Sequence, residues 1–116
     1  MSWWTEPVWT LDLETTSANP NEAEIVQYAL ARVTPAGRVL EARTAVCQVE
    51  VWSDAAQTVH GITPEESSNG LSEDAAASDL MVSLLNLEPG PLVVFNARYD
   101  LTILERYDVD TSDLLV

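Results

Sequence analysis

Val8-Trp9-Thr10-Leu11-Asp12-Leu13-Glu14-Thr15-Thr16 is the stretch whose reading decides the fold. Strand alternation sends Trp9, Leu11 and Leu13 to one face and Val8, Thr10, Asp12 and Glu14 to the other. Asp12 and Glu14 are then neighbours on a single face, roughly 6–7 Å apart along the strand. Like charges at that range repel when partly desolvated, unless a cation neutralises them. Two readings stay open on this stretch alone. It is a strand end whose acids are solvated, or it is half of an oxygen-ligand site for a divalent cation.

Outward from that strand, Ser17 to Glu22 is a polar loop punctuated by Asn19-Pro20-Asn21. Glu24 to Thr34 reads as a second strand, Pro35-Ala36-Gly37 as a turn, and Arg38 to Trp52 as a return strand with an irregularity near Ala42 to Ala45. Ser53 or Asp54 opens a short helix, and Thr63-Pro64 has helix-start character. Ser72 caps a longer helix with Ala77, Leu80, Met81, Leu84 and Leu85 as its apolar stripe, ended by Glu88-Pro89-Gly90-Pro91. Leu92 to Phe95 is wholly apolar, as a central parallel strand is. Asn96 caps a helix from about Ala97 to Tyr107 that turns Leu101 and Leu104 to the core. Asp113-Leu114-Leu115-Val116 looks like a strand just starting. Trp3 and Trp4, in the lead-in, are placed at the edge of the core.

The expected class is α/β: a mixed sheet whose first three strands are antiparallel, followed by α-β-α and left incomplete at the C-terminus. The 116 residues make one domain, or part of one. A hydrophobic content of 47% excludes a disordered chain. No apolar run approaches a membrane span, so no membrane partner is expected. Met1 to Pro7 has neither a basic residue nor an apolar core, so it is not read as a signal peptide. With the single Cys47, that points to the cytoplasm. The net charge is −14, and all five basic residues are arginines. Such a balance argues against a broad electrostatic footprint on nucleic acid and serves solubility. It leaves room for an enzyme that meets nucleic acid through metal ions.

A third acid joins the first two. Asp100 falls in the first turn of a helix that follows a buried strand. The helix dipole alone explains an acid there. Convergence with Asp12 and Glu14 would instead make a site for Mg²⁺ or Mn²⁺.

Taken together these segments resemble the DnaQ-like, or DEDD, 3′–5′ exonucleases, whose fold is ribonuclease H-like. Leu11-Asp12-Leu13-Glu14-Thr15-Thr16 resembles that family's first motif, and Ile25-Val26-Gln27 the opening of its next strand. Val59-His60-Gly61-Ile62-Thr63 resembles its His-Gly-Ile-Thr loop. Val94-Phe95-Asn96-Ala97-Arg98-Tyr99-Asp100 resembles its second motif, and Asp110-Thr111 the start of a further strand. The resemblance covers about residues 8 to 116. Ser17 stands where glycine is common, and Phe95 where histidine is.

The resemblance implies metal-dependent hydrolysis of the terminal phosphodiester of DNA or RNA, releasing nucleoside monophosphates from a 3′ end. Asp12, Glu14 and Asp100 are implied as catalytic metal ligands for two Mg²⁺ or Mn²⁺ ions. Thr15, Thr16, His60 and Ile62 are implied as contacts to the terminal nucleotide. The family's third motif, a histidine five residues or a tyrosine four residues before a fourth aspartate, has no match. His60 lies in the substrate loop, and Tyr107 is followed four residues on by Thr111. The expected activity of this chain alone is therefore impaired. The chain is read as a piece of an interrupted gene product, a shortened domain, or a pseudo-exonuclease serving as an interaction or metal-binding protein. A second chain or a C-terminal segment would complete the domain.

Overall fold

The computed structural model describes residues 7–85, 92–94 and 97–109. Their order is β1 (Val8–Thr15), β2 (Ile25–Val33), β3 (Val39–Val46), α1 (Asp54–His60), α2 (Pro64–Ser68), α3 (Glu73–Leu85), β4 (Leu92–Val94) and α4 (Ala97–Arg106). The readings placed on Trp3, Trp4, Glu88 to Pro91, Phe95, Asn96, Asp110-Thr111 and Leu114 to Val116 lie outside the described residues.

One mixed sheet runs β3-β2-β1-β4. β1 and β2 pair antiparallel, as do β2 and β3, while β4 joins β1 in parallel. The expected α/β class and antiparallel start are therefore present. The alternation in β1 also holds. Trp9, Leu11 and Leu13 are buried, Thr10 and Glu14 are half-buried, and Asp12 is exposed.

Two register shifts shape the sheet. Glu14 pairs with Gln27 but Thr15 with Ile25, so Val26 is an extra residue opposite the end of β1. A bulge bends its strand and lets neighbouring side chains face the same way, which explains why Ile25 and Val26 are both fully buried. The second shift lies between Arg32 and Val33, with Leu40 the extra residue. The irregularity expected near Ala42 to Ala45 is thus at the hairpin end, where the turn through Gly37 (φ 87°) closes. Pairing is unbroken from Gln27↔Val46 to Arg32↔Glu41.

The return strand stops at Val46, earlier than the expected Trp52. Cys47 leaves the ladder for a parallel bridge to Leu71, sealed by Leu71 N–H to Val46 O (2.8 Å) and Gln48 N–H to Leu71 O (2.7 Å). Gly70 permits this approach, since a Cβ there would lie 2.3 Å from the Val46 carbonyl oxygen.

Helices α3 and α4 supply the other half of the core. Ser72 Oγ accepts from Ala75 N–H (3.2 Å), as its capping role requires. The buried stripe of α3 runs through Ala76, Leu80, Ser83 and Leu84, rotated slightly from the expected one, with Ala77 and Met81 at its margin. On α4 the stripe is Asp100, Ile103, Leu104 and Tyr107, at i, i+3, i+4 and i+7. Leu101 is only half-buried. A carboxylate thus occupies the first position of an otherwise apolar stripe.

Among the described residues no helix is long and apolar enough to cross a membrane.

Candidate active site

The parallel pairing of Leu11 with Val94 brings the exits of β1 and β4 to the same end of the sheet. In open α/β sheets the crevice outside the carboxyl ends of parallel strands is where ligands bind. Asp12 lies on β1 just past the pairing of Leu11 with Val94, and Asp100 sits in the first turn of α4. Asp100 is only 5% exposed, although the helix dipole alone would leave a first-turn acid in water. Burial, and next the negative charge of Asp12, push its carboxyl up to about 6. Two acids from separate elements therefore share one electrostatic site.

Glu14 stands two residues beyond Asp12 on the same face of β1, half-buried beside the Val26 bulge. As placed, no three His, Cys, Asp or Glu side chains among the described residues close into a metal-holding group. Asp12 and Asp100 influence each other electrostatically, and Glu14 lies next along the strand. The donor set fits a hard divalent cation. It is made of carboxylate oxygens, and the buried Asp100 is stabilised as an anion by any positive charge placed beside Asp12.

Glu14 also lines a cleft of about 470 Å³ with Thr15, Thr16, Tyr99 and His60. The far wall comes from Ser53, Ala55, Ala56 and Val59 of α1 and its cap. α1 has no buried residue, and Val59 is 83% exposed beside the opening.

The local sequence explains how His60 reaches this cleft. Ser53 Oγ caps α1 by accepting from Ala56 N–H (3.1 Å). Gly61 ends the helix in the left-handed region (φ 72°) and donates to Gln57 O (2.8 Å). The chain then reverses, and Ile62 drops into the interior at 6% exposure. Thr63 and Glu66 form a capping box on α2, with Pro64 in its first turn. His60 Nδ1 accepts from Ile62 N–H (2.9 Å), so the neutral ring carries its proton on Nε2. Trp52 meets the ring edge-on, with centroids 6.0 Å apart. Of the two expected nucleotide contacts in this loop, His60 lines the cleft. Ile62 is buried just past the reversal, where an apolar side chain gains by burial.

Thr15 lies at the strand end, and Thr16 Oγ1 accepts from Glu24 N–H (3.0 Å). Two contributors escaped the sequence reading. Glu24 accepts from Glu50 N–H (2.7 Å) and Val51 N–H (3.0 Å), pinning the segment that leads into α1. Nothing distinguishes it in the sequence from an ordinary acid before a strand. Tyr99 lines the cleft and bonds to Thr15 and to the Ser17 carbonyl. Its place immediately before Asp100 was the available signal.

Tyr107 is a structural group. Its hydroxyl accepts from Ile25 N–H (2.8 Å), and burial pushes it up to about 12.

The fold is a mixed α/β sheet with Asp12 and Asp100 near the end of its parallel strand pair. Solved structures of exonuclease I share the fold. One, described in terms of how exonuclease I achieves processivity, superposes with a TM-score of 0.73 at 22% identity, over 88% of this chain and 23% of that one. E. coli exonuclease I bound to a dT13 oligonucleotide gives 0.71 at 22% identity, over 88% and 23%. The zinc-bound form of an E. coli exonuclease I complex with single-stranded DNA gives 0.71 at 22% identity, again over 88% and 23%. The chain therefore spans about a quarter of the length of these proteins. No family profile and no curated protein matches the sequence.

Proposed function

We propose that this chain is a 3′–5′ exonuclease-like domain of the DnaQ-like (DEDD) kind, acting on the 3′ end of single-stranded nucleic acid. The observation that carries the reading is the Asp12–Asp100 pair at the exit of parallel strands, on a fold shared with exonuclease I. Asp12, Glu14 and Asp100 would hold Mg²⁺ or Mn²⁺. Bound there, such cations supply Lewis acidity for activating water and stabilising the leaving 3′ oxygen.

The chain's own residues do the rest. Asp12, exposed on β1, would offer its carboxylate oxygens to a bound cation. Asp100 keeps a buried negative charge that favours cation capture. Glu14 adds a carboxylate on the cleft side and orients the attacking water. Thr15 and Thr16 meet the terminal nucleotide, and His60 offers Nε2–H from the opposite wall. Ile62 keeps that wall in place.

The chain brings no third motif, and Tyr107 is engaged with the backbone of Ile25. A general base is typically worth about 10²–10⁴-fold in rate. We therefore propose that the chain alone is weakly active and gains activity when a further segment or a second chain supplies the base. Its setting in this reading is the cytoplasm, where the buried thiol of Cys47 stays reduced.

A 5′-labelled single-stranded oligonucleotide incubated with Mn²⁺ tests this. The expected result is a slow ladder shortening from the 3′ end, abolished by EDTA and by Asp12→Ala. A ladder that survives Asp12→Ala would sink the proposal.

A further inference from the structure

β3 ends the sheet on the side away from β4, and among the described residues no strand pairs with its outer edge. Every residue from Val39 to Thr44 is exposed, Val39 at 57% and Leu40 at 46%. The bulge at Leu40 sits by the hairpin, and from Glu41 to Val46 the ladder to β2 is unbroken. The stretch holds neither proline nor lysine, the residues that usually blunt a sheet edge against a further strand.

The hydrogen bonds fix which groups face outward. Cys47 N–H donates to Val26 O on β2 (2.7 Å), so Glu41, Arg43 and Ala45 turn their backbone groups toward β2 as well. Val46 turns the other way, and its carbonyl accepts from Leu71 N–H (2.8 Å). Ala42 and Thr44 face outward by the same alternation.

This free edge is bounded by the turn at Gly37 and by the Leu71 bridge at Cys47. Ala42 is its midpoint. A second copy laid antiparallel about Ala42 exchanges N–H and C=O with Ala42 itself. Glu41 of each copy then stands opposite Arg43 of the other. These flanking pairs share no backbone bonds across the join, so their side chains come closest. Moving the centre to Glu41 or to Arg43 keeps the backbone in phase but sets like charges against each other, which is unfavourable. Arg43 lies 3.6 Å from Asp79 of α3 with its side chain 54% exposed, and its five donors leave some for a second carboxylate.

We propose that β3 is a self-association edge: two copies of this chain pair their β3 strands antiparallel about Ala42, joining two four-stranded sheets into one across a two-fold axis. β2 separates the join from β1, so the pairing leaves Asp12 and the cleft open and does not depend on the exonuclease reading. The charge of −14 per chain opposes approach, and salt at about 0.15 M screens that repulsion beyond ~8 Å.

The test is sedimentation velocity of the 116-residue chain over a concentration series in about 0.15 M salt. The wild type is expected to pass from monomer to dimer as concentration rises. Ala42→Pro removes an N–H that β2 does not use. It should weaken the dimer at least about tenfold with an unchanged circular dichroism spectrum, since both central hydrogen bonds are lost. Glu41→Arg and Arg43→Glu should each stay monomeric alone and pair when mixed, because mixing restores both opposite-charge contacts. A wild type that is monomeric throughout overturns the proposal. So does a dimer indifferent to Ala42→Pro. Charge variants that keep their circular dichroism spectra yet do not pair on mixing overturn the register about Ala42 and the proposal with it.

Discussion

Burial on the α4 stripe it shares with Ile103, Leu104 and Tyr107, and next the charge of the exposed Asp12 on β1, raise the proton affinity of Asp100. A helix gains nothing from a carboxylate at that position, since a buried anion beside another anion opposes folding. The arrangement makes sense where a cation is bound.

The first consequence concerns stability and pH. Asp100 has a folded pKa near 6, above its ordinary carboxylate value of 3.8. The folded state therefore holds this proton more tightly than the unfolded state. The contribution is fully present below the unfolded value and is lost as pH rises through about 6. Asp100→Asn should stabilise the metal-free chain at pH ~7 by about 1–3 kcal/mol and by nearly nothing at pH ~4. Urea denaturation at the two pH values checks this. An equal gain at both would show that Asp100 is not strained by its charge.

Tyr107→Phe separates a structural tyrosine from a catalytic one. The substitution leaves the buried Ile25 N–H without its acceptor, which should cost about 1–3 kcal/mol. Any exonuclease activity, measured well below the melting temperature, should be unchanged. A large loss of rate with stability intact would make Tyr107 part of the chemistry.

Gly61→Ala tests the turn behind His60. A side chain in the left-handed region at φ 72° should destabilise by about 1 kcal/mol, even though the space around Gly61 is open. The His60–Ile62 bond depends on that turn. The histidine side-chain ¹⁵N shifts should therefore move from a fixed Nε2–H tautomer toward a mixture. Unchanged shifts would show that the turn does not set the ring.

Leu80→Ala probes the packing of α3 on the sheet. Leu80 is fully buried, and truncation should cost about 2–5 kcal/mol. A cost under ~1 kcal/mol, read from urea midpoints, would mean that α3 is only loosely held.

Much of the fold was legible because its signals are local. Alternation in β1, the turn at Gly37, the cap at Ser72 and the apolar run from Leu92 each act over a few residues. The bulges were not legible in position. Val26 is an ordinary β-branched residue, and nothing local marks it as the one that β1 skips between Glu14 and Thr15. The same holds for the end of β3, where a distant segment at Gly70 and Leu71 captures the backbone. Asp12, Glu14 and Asp100 were singled out by residue type and order, and Tyr99 only by its place before Asp100. Glu24 was not legible, since its role lies in hydrogen bonds to Glu50 and Val51 far along the chain. The burial of Ile62 was not legible either, since it depends on the reversal that Gly61 makes.

The central claim is that Asp12 and Asp100 together hold a divalent cation. The direct measurement is Mn²⁺ binding by electron paramagnetic resonance on the wild type, Asp12→Ala and Asp100→Asn. The account expects saturable binding by the wild type, weakened at least about tenfold in either variant, as loss of a ligand to a shared ion requires. Binding that is equal in all three would contradict it.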